Sequence, residues 1–93
     1  MKTITVQIGN TDNKLTQQLW SKYVLDVKSL FNDYNIKIYF FGASETYAPW
    51  QNVCWVFECP NYLINTITDS LVEIRKQYNQ ESIAIQVGDI ELI

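Results

Sequence analysis

At 93 residues, with 47% apolar and 14% aromatic side chains, the sequence suits one domain (1–93) with a real core and excludes a disordered chain. A net charge of −3, with seven scattered Lys and Arg residues, disfavours a nucleic-acid backbone as partner. There is no histidine, and the only cysteines, Cys54 and Cys59, stand in a C-x4-C spacing that fits no common zinc or redox motif, so neither metal nor cofactor is expected.

Ile4, Val6 and Ile8 alternate with Thr3, Thr5 and Gln7, which predicts a strand with one buried face, ended by Gly9. The same polar residues break any signal-peptide run. No stretch approaches the ~20 apolar residues of a membrane span, so a cytoplasmic protein without a membrane partner is expected. A helix follows, with Thr16 as N-cap and Leu15 stapled to Trp20. Its apolar stripe is Leu19, Tyr23, Val27, Leu30, Phe31 and Tyr34, and the pattern stops at Asp33 and Asn35.

Ile36, Ile38 and Phe40 predict a second strand that closes at Gly42. Val53 to Phe57 is apolar on both faces, as in a central strand, and Pro60 ends it. Positions 54 and 59 differ by an odd number, which turns the two thiols to opposite faces. Asn61 is placed to cap a second helix with the stripe Ile64, Ile67, Leu71, Ile74 and Tyr78. Ile83, Ile85 and Val87 form a last strand. After Gly88-Asp89 the apolar phase shifts to Ile90 and Leu92, which implies a bulge or tight turn.

The order β-α-β-β-α-β, with right-handed crossovers, predicts an α+β ferredoxin-like sandwich. Its four-stranded antiparallel sheet has order 4-1-3-2, with both helices on one face. That topology brings three polar stretches to one end: Gly9 to Lys14, Ser44 to Asn52 and Tyr78 to Ser82. The candidate ligand-binding residues there are Asn10, Thr11, Asp12, Asn13, Lys14, Tyr47, Trp50, Gln51, Asn52, Gln80, Glu81 and Ser82. In the first stretch a single glycine without Walker spacing makes an Asx-type turn and helix cap the plain structural alternative.

The second stretch is long for a hairpin, about ten residues, and long loops in compact domains are commonly functional. Tyr47 and Trp50 are suited to stacking on a base or anchoring an interface, unless Trp50 folds back over the core. Asp12, Glu45 and Glu81 could form an acidic cluster, but no spacing motif supports catalysis. On the sheet face away from the helices, Thr3, Thr5, Gln7, Tyr39, Phe41, Ala84 and Gln86 are expected. Tyr39 and Phe41 are more apolar than an exposed sheet needs, and with the low charge content they suggest a homodimer or higher homo-oligomer.

The segments Ile8 to Gln17 with Trp20, Pro49 to Asn52 with Cys54-Trp55, and Gln80 to Ala84 resemble a group of small uncharacterised bacterial and phage proteins. The chain departs from that pattern at Leu19, where an acidic residue would complete a capping box with Thr16. The resemblance implies a phage counter-defence factor in the host cytoplasm, and no catalytic residues. The leading expectation is a non-enzymatic protein that sequesters a nucleotide-derived immune signalling ligand. In it the rings stack on the base, and Lys14 with the helix N-terminus faces phosphate. The alternatives are an anti-CRISPR-like inhibitor that uses an acidic surface and the Tyr47/Trp50 loop against a host defence protein, and a small hydrolase or isomerase.

Overall fold

The computed structural model describes residues 1–10, 14–45 and 50–93. Its elements are β1 (Lys2–Gly9), α1 (Gln17–Asp33), β2 (Ile38–Ala43), β3 (Asn52–Cys59), α2 (Asn61–Gln77) and β4 (Ala84–Gly88). The strands form one antiparallel sheet in the order β2-β3-β1-β4, the ferredoxin-like arrangement read from the sequence. At the centre, β1 and β3 pair without a shift from Lys2↔Cys59 to Gly9↔Asn52. This register puts Ile4, Val6 and Ile8 beside Val53, Trp55, Phe57 and Cys59 on the helix-covered face, where all are buried.

Both helices lay an apolar stripe on that face. From α1 come Trp20, Tyr23, Val27, Leu30 and Phe31, and from α2 come Ile67 and Leu71, flanked by the partly buried Leu63, Ile64 and Ile74. Leu19, expected in the first stripe, is 44% exposed, and Trp20 takes the core position one residue on. Phe31 meets Trp55 edge-on at 5.5 Å and Phe57 at 4.7 Å, so aromatic packing joins α1 to the central strand.

The ends of the helices are locally determined. Thr16 is the N-cap of α1 and its hydroxyl accepts from the Leu19 N–H at 3.2 Å, with Leu15 and Trp20 both buried around it. The second cap differs from expectation. Asn61 is already inside α2, and Pro60, which has no side-chain donor or acceptor, occupies the N-cap.

The two C-termini are alike. Asn35 and Asn79 stand at φ 55° and 54°, each just after a capping tyrosine. Ile36 N–H bonds Phe31 C=O and Asn35 N–H bonds Asn32 C=O. Gln80 and Asn79 repeat the pair with Arg75 and Lys76, so each helix ends in a Schellman turn.

The edge strand β2 departs most from the sequence expectation. Ile38 pairs with Phe57 and Phe40 with Val56, which leaves Tyr39 as an extra, bulged residue. The bulge shifts the alternation by one. Phe40, expected to face the core, lies on the open face with Val56, and Phe41, expected on the open face, turns to the helix side opposite Trp55. Phe41 still reaches only the margin of the core, 5.6 Å from the Trp55 ring and 54% exposed. The strand runs one residue past Gly42, whose missing Cβ leaves room for the Phe40 ring, since a Cβ there would stand 2.7 Å from Phe40 Cζ. Beyond Gly88 the last five residues are exposed and form no strand, in place of the expected bulge or turn.

Two stability changes are expected. Asn35→Ala should lower the unfolding free energy by about 1 kcal/mol, because Asn offsets the ~1–2 kcal/mol cost of the left-handed region by local side-chain hydrogen bonding and Ala cannot, whereas Asn35→Gly should be neutral or stabilising. Trp55→Ala should cost about 3–5 kcal/mol through the cavity it leaves. Urea denaturation measures both, and equal losses for the two Asn35 variants would contradict the left-handed cap.

Candidate functional site

The three polar stretches do meet at one end of the sandwich. The central register sets Gly9 opposite Asn52, and the next residue, Asn10, donates its backbone N–H to the Gln51 carbonyl at 2.8 Å. An ion pair at 3.9 Å joins Lys14 of the first stretch to Glu81 of the third. Thr11, Asp12, Asn13 and Tyr47, all candidates from the sequence, lie outside the described residues.

Several candidate side chains are engaged by the fold itself. Asn10 is only 2% exposed, and its amide closes a local loop: Oδ1 accepts from Leu15 N–H, and Nδ2 donates to Leu15 C=O and to Gln51 Oε1, all at 3.0 Å. Gln51 completes the clasp by a reciprocal amide pair with Gln17, at 3.0 and 2.8 Å. Ser44 holds the neck of the β2–β3 connection. Its backbone N–H bonds the Asn52 carbonyl, and its hydroxyl accepts from Asn52 N–H and donates to the Trp50 carbonyl.

The third stretch is held from below. Gln80 is buried and its Nε2 donates to the Tyr78 carbonyl, while the Arg75 guanidinium donates to the carbonyls of Gln80 and Glu81 at 3.1 and 3.2 Å. Gln17 and Arg75 were not singled out from the sequence. Their partners stand 34 residues away or depend on the turn geometry, and no local spacing encodes either.

What these bonds leave open is a pair of adjoining hollows on the open sheet face. One, about 350 Å³, lies among Gln7, Gly9, Asn52, Gln80, Glu81 and Ser82. The other, about 370 Å³, lies among Gln7, Phe40, Gly42, Ser44, Trp50, Asn52 and Cys54. Gln7 and Asn52 line both, so their amides stand between a polar compartment and an aromatic one. Gly9 leaves room for the Asn52 amide, since a Cβ there would stand 2.7 Å from Asn52 Oδ1 and push that side chain aside. Among the described residues no Lys or Arg lines either hollow. Lys14 instead borders a separate hollow of about 420 Å³ with Lys22 and Asp26, between the start of α1 and the end of α2. Gln7, Phe40 and Cys54 were missed as site residues, since an alternating strand pattern marks only which residues face away from the core.

Among the described residues no three carboxylate or thiol side chains gather as a metal site. The Cys59 thiol is buried and its pKa is pushed up by that burial, which opposes the thiolate. The strongest shifts belong to a stacked phenol pair between the helices, Tyr23 and Tyr78, with ring centroids 4.7 Å apart. Burial raises Tyr23 to about 12, against the opposing charge of Arg75. Burial, then the hydrogen bond from Tyr78 to Asp26, raises Tyr78 to about 12. The Tyr23 hydroxyl is buried without a hydrogen-bond partner among the described residues.

Removing the Asn10 amide leaves the buried Leu15 N–H and C=O unpaired, so Asn10→Ala should cost about 1–3 kcal/mol by urea denaturation. The phenol pair sets a pH dependence. Both folded pKa values exceed the unfolded value of 10.0, so their contribution is complete below pH 10 and is lost as pH rises through about 12. Unfolding free energy should therefore fall between pH 10 and 12, and fall less in Tyr23→Phe. A flat profile would remove the pair from the account.

No protein-family model and no curated protein matches the sequence. The fold is similar to part of a formyltetrahydrofolate deformylase from Pseudomonas putida KT2440, with a TM-score of 0.58 and 9% identity. The match covers 96% of this chain but 28% of that one, and it concerns the fold alone.

Proposed function

We propose that the chain is a non-enzymatic binding module that takes a nucleotide-derived small molecule by its base and sugar in the paired hollows at the loop end. The observation that carries this reading is the arrangement of Gln7 and Asn52, two amides between the Trp50 and Phe40 rings on one side and Ser82 with the Glu81 carboxylate on the other. Amides offer both donor and acceptor to the edge of a base, and an exposed indole supplies a stacking surface. Glu81 suits the hydroxyls of a ribose as an acceptor. Because basic side chains are missing from the described lining, recognition falls on base and sugar rather than on phosphate. In a phage-encoded protein such capture without turnover would remove an immune signal, the role that the sequence resemblance implies.

Calorimetric titration with nucleosides, cyclic nucleotides and ADP-ribose derivatives tests this reading. One of these classes should bind and be recovered intact. Trp50→Ala and Asn52→Ala should each weaken it about tenfold, in line with the ~1–3 kcal/mol of a stacked ring or a good polar contact. No binding by any class, or binding indifferent to both variants, removes the proposal.

A second reading rests on the exposure of Trp50 (49%) and the net charge of −3: an inhibitor that presents an aromatic anchor and an acidic surface to a basic site on another protein. A stable protein complex that is unaffected by small ligands and lost in Trp50→Ala would favour it over ligand capture.

A further inference from the structure

Three consecutive rings on β2 are each more than half exposed: Tyr39 at 54%, Phe40 at 56% and Phe41 at 54%. They do not share a face. Tyr39, the bulged residue, and Phe40 stand opposite Val56 on the open side, where the Glu58 carboxylate raises the Tyr39 phenol pKa, while Phe41 stands beside Trp55 on the helix side. A partner laid flat on the open face covers Tyr39 and Phe40 and leaves Phe41 in water. A strand added alongside β2 sets its own side chains next to the rings on both faces, as cross-strand neighbours do.

The edge is also open for pairing. β2 is the outermost strand, and Ile38–Ala43 contains no charge and no proline; its one edge protection is the bulge at Tyr39, which leaves Phe41 to Ala43 regular. Because the Ser44 N–H turns inward to the Asn52 carbonyl, the two-residue alternation turns the N–H and C=O groups of Phe41 and Ala43 outward. Lys37 stands just before the strand and Glu45 just after it, both exposed. An antiparallel copy of β2 sets the Lys37 end of each chain beside the Glu45 end of the other, an opposite-charge match made twice by symmetry.

We propose that two copies of this chain pair through the edges of β2, antiparallel about a two-fold axis, joining their sheets into one of eight strands. The aromatic hollow beside Gly42, Ala43 and Ser44 borders this edge, so the second copy adds a wall to it. The pairing stands independently of the ligand reading.

Sedimentation equilibrium from low micromolar to several hundred micromolar tests it, with far-UV circular dichroism to confirm that each variant is folded. The natural chain should dimerise. Phe41→Lys, which places a charge on each side of the two-fold axis, and Ala43→Pro, which removes an outward N–H, should each raise the dimer dissociation constant about tenfold or more. Thr5→Lys, on the open face of β1, should leave it unchanged. A monomer at every concentration overturns the proposal. So does a dimer that survives both edge variants, or one lost in Thr5→Lys but kept in Phe41→Lys. If Phe41→Lys does not fold, Ala43→Pro decides.

Discussion

The unshifted register between β1 and β3, from Lys2↔Cys59 to Gly9↔Asn52, is the constraint from which most of the remaining geometry follows. Side chains alternate across a sheet, so a one-residue slip would carry Ile4, Val6 and Ile8 to the open face and bury Thr5 and Gln7. The same register sets the loop end. It brings Gly9 against Asn52, and from there Asn10 reaches Gln51 and the first helix is aimed across the sheet. Packing of Phe31 on Trp55 and Phe57 secures that alignment from the helix side.

At the loop end a polar side chain either serves the fold or faces the hollows, and its hydrogen-bond partners separate the two roles. Asn10 and Gln80 are buried, where an unpaired amide is costly, and the fold satisfies them through Leu15 and Tyr78, while the half-buried Gln51 pairs with Gln17. Gln7 and Asn52 project from strands on the open face and line the hollows there. Strand-borne groups of this kind are held by the rigid sheet, which is the better platform for recognising a shaped ligand.

The two edges of the sheet differ in kind. β4 is short, and the exposed ion pair of Lys2 with Asp89 lies just past its end. β2 carries three aromatic residues and a bulge that distributes them over both faces. A bulge at an edge strengthens the local twist and commonly discourages indiscriminate pairing. In β2 it interrupts the strand at Tyr39 and leaves the Phe41–Ala43 portion regular.

Local sequence was enough for the element order, the fold class, the Thr16 cap and the buried faces of β1 and α2, because each rests on a period or a cap that neighbouring residues define. The alternation of Ile4, Val6 and Ile8 and the αL-tolerant Asn35 where the helical pattern stops are of this sort. Topology then follows, since crossover handedness leaves few arrangements. The bulge at Tyr39 was not legible: in Tyr39-Phe40-Phe41 every residue suits either face, so only pairing with β3 decides which ring goes where. Equally, which of the loop-end amides serve the fold and which line the hollows depends on partners tens of residues away, as Gln17 is from Gln51. Short-range patterns determine elements and faces; long-range hydrogen bonding, which exists only once the chain has closed on itself, determines the site.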